Sequence, residues 1–192
     1  MPPMTRALII ANGLVFVAQM ILGSGFSMLL ALWPLGEGFM PWQILTYGFV
    51  HGGLSHIFFN MYGLSMFGGE IERVWGGRRF LNYYLVCVVS AGLSQLTVSA
   101  LMGFVYPTVG ASGGVFGVLL AYALMFPSRT IVPLFPPIPM RALTFAMIYG
   151  GLELVLGVTG TQAGVAHFAH LGGMLGGYLM LRRGSGKSRR YR

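Results

Sequence analysis

One serine stands among glycines in the stretch Gly-Ala-Ser-Gly-Gly at residues 110–114, directly before an apolar run at residues 115–126. A serine hydroxyl acts as a nucleophile only when a base lies within hydrogen-bonding distance, and neutral histidine is the usual base. Gly110 and Gly113 allow another backbone to come close and expose N–H groups at a helix N-terminus, where a developing oxyanion is stabilised. These residues predict that Ser112 is a nucleophile for acyl transfer, although a glycine-rich helix start also suits close packing alone.

Two histidines lie within apolar stretches, where a polar side chain is costly and is usually functional: His56 and His170. Gly173 and Gly177 follow His170 at i+3 and i+7, a spacing typical of closely packed membrane helices. His170 is therefore the predicted base for Ser112.

The helix that starts at Ser112 carries small residues of its own, Gly113 and Gly117, which could match those after His170. Phe116 lies one turn after Ser112, so we expect it to face the same neighbouring helix and to stack on the His170 ring.

His56 and Asn60 are spaced i, i+4 and share one helix face, where they could donate hydrogen bonds to an oxyanion. Asn60 is equally suited to hydrogen bonding between packed helices. His51 is predicted to be a structural hydrogen-bonding residue, and His167 is predicted to lie near water at the rim of the site.

The chain contains no aspartate, so a Ser-His-Asp triad is excluded, which leaves a dyad or an unusual use of glutamate. Glu153 is an isolated carboxylate in an apolar run, where it must face a cavity, bond a partner or be protonated. We expect it to line the cavity or to act as a gate by bonding across to the second predicted span. Direct participation in catalysis is the remaining alternative.

The elements that must position these residues belong to a membrane protein. The chain is 55% hydrophobic and 8% charged, with a mean hydropathy of +0.73, which is atypical of soluble domains. Cys87 is the one cysteine, so a disulfide scaffold and a thiolate metal site are excluded. We expect neither a cofactor nor a metal.

Six apolar runs predict an all-α fold of six transmembrane helices in one domain at residues 1–182, followed by a basic cytoplasmic tail at 183–192. The runs lie at residues 7–23, 56–75, 79–102, 112–126, 142–158 and 164–181. The intervening stretch 23–55 is apolar but interrupted by Gly and Pro, which indicates a long loop associated with the membrane surface.

The 12 Lys and Arg residues all fall in the termini and loops on one side of this six-span arrangement. The positive-inside rule then predicts that both termini are cytoplasmic, and it explains the basic charge without a nucleic-acid partner. The tail is expected to contact lipid headgroups.

Depth in the membrane follows from the rise of ~1.5 Å per helical residue. Counted from the arginine-marked ends, Ser112 lies about 24 Å from the inner face and His56 about 21 Å. His170 and Glu153 both lie about 18 Å from it. The candidate residues therefore occupy one layer that opens to the outer side.

Several ordered motifs resemble the rhomboid family of intramembrane serine proteases over nearly the whole chain. They are HGGLSHIFFNM (51–61), GGEIER (68–73), GASGG (110–114) and AHLGGMLGG (169–177).

The resemblance implies a Ser-His dyad of Ser112 and His170, with His56, Asn60 and the backbone N–H of Ser112 forming the oxyanion hole. It also implies transmembrane proteins as substrates. Many members have Trp-Arg where this chain has Trp42-Gln43, which leaves the anchoring of the first loop open. An inactive rhomboid-like protein that binds membrane clients, and a haem or proton carrier, are the alternatives.

Overall fold

The computed structural model describes residues 1–36, 38–134, 136–160 and 166–188. Nine α-helices occur in these ranges: α1 Pro3–Leu22, α2 Ser24–Leu30, α3 Gln43–Thr46, α4 Leu54–Gly63, α5 Gly69–Trp75, α6 Gly77–Met102, α7 Ser112–Met125, α8 Ala142–Thr159 and α9 His167–Ser188. A short antiparallel pair, β1 Thr130–Ile131 and β2 Met140–Arg141, closes the loop before α8.

The helices coincide with the six apolar runs, so the prediction of a mainly helical membrane protein agrees with the structure. Three of the described helices, α1, α6 and α8, are long and apolar enough to cross a membrane, and α7 is a shorter apolar helix. The second run is divided, because a π-helical turn at Leu64–Gly68 separates α4 from α5. The first residues of the sixth predicted run, 164 and 165, and the end of the tail, 189–192, lie outside the described residues.

The stretch between α1 and α4 is a loop with short helices, as expected, and Gln43 anchors it. The Gln43 side chain is buried and accepts hydrogen bonds from the backbone N–H groups of Trp33 (3.3 Å) and Met40 (3.1 Å). Its amide nitrogen donates to the carbonyls of Leu29 and Gly38, both at 3.3 Å. Glutamine therefore anchors the loop at the position where the rhomboid pattern has arginine.

The centre of the molecule is formed by α6, α7 and α9, where buried tyrosines bond to backbone carbonyls. The hydroxyl of Tyr83 donates to the Gly117 carbonyl (2.8 Å), and that of Tyr47 donates to the Val88 carbonyl (2.7 Å). Ser90 donates to the Gly172 carbonyl of α9 (2.9 Å). These bonds satisfy buried polar groups and hold the three helices in one arrangement.

The C-terminal end of α5 is tied to the start of α1 by Glu72. Its buried carboxylate accepts hydrogen bonds from the backbone N–H groups of Met4 (2.8 Å) and Thr5 (2.6 Å) and from the Thr5 hydroxyl (2.7 Å). The first N–H groups of a helix have no partner within it, so Glu72 caps α1 from another element.

Candidate active site

The site is centred on Ser112, the first residue of α7, and His170 in the first turn of α9. Nε2 of His170 lies 2.7 Å from Oγ of Ser112. The His170 residue is 8% exposed and largely shielded from water, whereas Ser112 is partly exposed. A histidine can accept the serine proton only when Nε2 carries no hydrogen, which places the ring proton on Nδ1.

Phe116 fixes the plane of the His170 ring. The two rings are parallel, with 4.4 Å between their centroids and 4° between their planes. This is the contact expected from the position of Phe116 one turn after Ser112. Stacking of this kind restricts rotation of the imidazole and keeps Nε2 directed at the hydroxyl.

Gly113 and Gly173 allow α7 and α9 to touch at backbone distance. A Cβ on Gly173 would lie 1.9 Å from the carbonyl oxygen of Gly113, and a Cβ on Gly113 would lie 2.3 Å from the Cβ of Ala91. No side chain fits at either position, so this contact sets the separation of Ser112 from His170.

Gly177 does not continue this contact towards α7. The atoms nearest to a Cβ on Gly177 belong to Tyr83, at 2.3 Å, and Cys87, at 3.0 Å, both on α6. The expected match of Gly177 with the α7 glycines is therefore wrong, because α9 packs between α6 and α7 and presents its small residues to both.

The turn before α7 holds Gly110 against His56. Gly110 has φ +126°, which side chains rarely adopt, and a Cβ there would lie 2.6 Å from Nε2 of His56. The backbone N–H of Gly52 donates to Nδ1 of His56 (3.3 Å). Neutral His56 then carries its proton on Nε2, so an N–H donor lies at the turn that carries Ser112.

Asn60 is buried one turn along α4 from His56. Its side-chain nitrogen donates one hydrogen bond to the backbone carbonyl of His56 (2.8 Å). An amide has two N–H groups, so this bond leaves a second donor on Asn60.

His51 lies in the same region, and its hydrogen bonds with the described residues are made by its backbone and not by its ring. Its backbone exchanges two hydrogen bonds with the side chain of Gln19, both at 3.0 Å, and its ring meets the ring of His56 edge to face at 5.1 Å. Within the described part of the chain, neither ring nitrogen of His51 has a hydrogen-bond partner.

Glu153 contacts α9, so the predicted hydrogen bond to the second span is wrong. Its Oε2 lies 2.6 Å from Nδ1 of His167 and 2.8 Å from Nδ1 of His170. The reason is the packing of α8 against α9: a Cβ on Gly157 would lie 3.2 Å from the Cβ of His167, so the two helices are close one turn from Glu153. His167 is 5% exposed, and the prediction that it lies near water is also wrong.

The sequence predictions treated Glu153, His167 and His170 separately and missed the contact between them. Two signals could have identified it. Glu153 lies at the same estimated depth as His170, and His167 precedes His170 by three residues, which places both rings on one face of a helix.

Glu153, His167 and His170 also have the donor types of a zinc site, and their ligand atoms all lie within 4.8 Å of one another. Ligands around tetrahedral zinc at ~2.0 Å are about 3.3 Å apart. The contacts from Oε2, at 2.6 Å to His167 and 2.8 Å to His170, are shorter, so the carboxylate touches both rings directly, and the contact with His167 is a hydrogen bond.

A family model described as the rhomboid domain matches residues 38–185. The chain is 29% identical over 137 residues to rhomboid protease GluP of Bacillus subtilis (strain 168), an alignment that covers 71% of this chain and 25% of GluP. It is 34% identical over 145 residues to RHOMBOID-like protein 4 of Arabidopsis thaliana, covering 75% of this chain and 34% of that protein. The chain thus spans a quarter to a third of the length of these relatives.

Proposed function

Because the chain belongs to the rhomboid family, we propose that it is an intramembrane serine endopeptidase that cleaves single-span membrane proteins within or next to their transmembrane segment. The observation that carries the proposal is the 2.7 Å contact between Oγ of Ser112 and Nε2 of His170. The name of the relative GluP, a rhomboid protease, supports the same activity.

The reaction is acyl transfer from the substrate to Ser112. Nε2 of His170 takes the hydroxyl proton as Oγ attacks the scissile carbonyl carbon, and the same proton then passes to the leaving amine. Water deprotonated by His170 hydrolyses the ester and restores the serine. His56, Asn60 and the backbone N–H of Ser112 donate to the oxyanion in both steps.

The proposed topology has six membrane-spanning segments in one domain, residues 1–182, with both termini cytoplasmic and the site open to the outer side. It rests on the helices found at all six apolar runs and on the segregation of the 12 basic residues. A prokaryotic inner membrane and contact of the tail with lipid headgroups belong to the same proposal.

The substrate must unwind locally, since helical carbonyls are hydrogen-bonded, so helix-weakening residues are expected near the cleavage site.

The protein purified in detergent should cleave a generic single-span substrate, and Ser112→Ala should abolish cleavage with little loss of thermal stability. Ser112 is only partly buried and its hydroxyl is small, so we expect the fold to survive, and an intact fold with no turnover identifies the nucleophile. Equal rates in the two proteins would contradict the proposal. Client binding by a wild type that does not cleave would favour the inactive rhomboid-like alternative.

A further inference from the structure

The proposed use of His170 as a base leaves one of its two nitrogens without an assigned role. If Nε2 accepts the serine proton, Nδ1 carries a hydrogen, and this nitrogen is buried. A buried N–H without an acceptor is costly, by about 1–3 kcal/mol.

The acceptor within reach is the carboxylate of Glu153, whose Oε2 is 2.8 Å from Nδ1 of His170. This contact has the distance of an ion pair but lacks the alignment of a hydrogen bond, and no other described group forms an aligned bond with Nδ1. A small rotation of the carboxylate or the ring aligns the two atoms. The imidazole of His170 then contacts the hydroxyl of Ser112 on one side and the carboxylate of Glu153 on the other.

We propose that Glu153 is a positioning residue whose ionised carboxylate accepts the Nδ1 proton of His170, which makes Ser112, His170 and Glu153 a triad. The inference rests on the proposed function. The carboxylate holds the imidazole in the tautomer that can accept the serine proton, and it stabilises the imidazolium formed when that proton is transferred.

His167 holds the carboxylate in place. Its Nδ1 lies 2.6 Å from the same oxygen, and its ring stands at 89° to the ring of His170. One carboxylate oxygen thus serves two imidazoles on α9. Two N–H donors compensate for the cost of a charge at this depth.

The three members of the triad lie on three helices, Ser112 on α7, His170 on α9 and Glu153 on α8. The described buried residues of α8 are Ala142, Phe145 and Ala146, all near its start, whereas Glu153 lies in its second half. That half is joined to α9 through the Glu153 contacts and the close approach at Gly157. The contact of Glu153 with His170 therefore requires α8 to be in place against α9.

Glu153→Gln and Glu153→Ala distinguish this role from simple helix packing. Glutamine keeps the size and the hydrogen-bonding capacity of the side chain, but its NH₂ group can donate to Nδ1 of His170 and so select the tautomer with a proton on Nε2. We expect Glu153→Gln to lower kcat by about 10- to 1,000-fold with KM unchanged, and to be no more active than Glu153→Ala. The rate of Ser112 labelling by a fluorophosphonate should fall in parallel, since labelling does not require substrate entry.

His167 supplies a second, independent variant pair. Asparagine places an amide nitrogen near the position of the histidine Nδ1, so His167→Asn should retain most of the kcat that His167→Ala loses. Leu154→Ala, at a 51% exposed position on the same helix, should leave kcat and labelling unchanged and serves as the matched control.

Wild-type kcat and labelling in Glu153→Gln, together with lower thermal stability of Glu153→Ala, would overturn the proposal and assign Glu153 to helix packing. Increased cleavage by Glu153→Ala would also overturn it, in favour of a gate. Either result leaves the proposed function intact, because that function fails only if wild-type cleavage does not depend on Ser112.

Discussion

Ser112 and His170 are 58 positions apart in the chain, yet their hydrogen bond could be anticipated from single residues. The helical rise alone places the two residues at depths in the membrane that differ by about 6 Å, and the cost of a buried histidine favours a functional role. Depth does not specify which side of a helix faces which neighbour. For that reason the contacts of Glu153 with His167 and His170 were missed, although all three residues had been singled out.

His56 and Asn60 are expected to stabilise the transition state. His56→Ala and Asn60→Ala should each lower kcat by roughly 10- to 1,000-fold while sparing KM, because an oxyanion donor acts when charge develops on the carbonyl oxygen. Steady-state kinetics with a purified single-span substrate measure both constants. A rise in KM alone in both variants would instead show that these residues bind substrate.

Among the elements, α7 and α9 determine the geometry of the site through glycine. The sequence predicted a small-residue contact between them from the i, i+4 spacing of glycines within each helix, and the structure brings Gly113 and Gly173 into backbone contact. The sequence could not predict the π-helical turn between α4 and α5, because nothing in the apolar pattern distinguishes a π turn from an α turn. The assignment of Gly177 to α7 failed because a glycine pattern shows that a helix is closely packed without showing against which partner.

Gly173→Ala should abolish cleavage and lower thermal stability. The added Cβ would meet the Gly113 carbonyl oxygen at 1.9 Å, so the helices must separate and Ser112 must move away from His170. Gly13→Ala in α1 is the matched control, since a Cβ there has no neighbour within 4 Å, and it should remain active. Full activity of Gly173→Ala would show that the site tolerates a wider separation of α7 and α9.

At the scale of the whole molecule, charge and hydropathy were the informative signals. Twelve basic residues confined to one side of a six-span arrangement predict orientation without any knowledge of packing. The internal arrangement of the first loop could not be read in this way, because it depends on the side-chain bonds of buried Gln43.

Reporter fusions test the orientation. A reporter that is active only in the cytoplasm should be active when fused to the C-terminus and inactive when placed after Gly160, between α8 and α9 in the chain. The rule predicts this because basic residues resist translocation. The opposite pattern would show that the protein has the reverse orientation in the membrane, and it would contradict every depth given for the site.

Activation of Ser112 by His170 is tested most directly by the mass of the covalent adduct formed with a serine-reactive fluorophosphonate. We expect one phosphonyl group per wild-type chain, located by peptide mass spectrometry at Ser112, and none on Ser112 when His170 is replaced by alanine. An adduct on another serine, or equal modification of Ser112 in His170→Ala, would contradict a Ser112 nucleophile activated by His170.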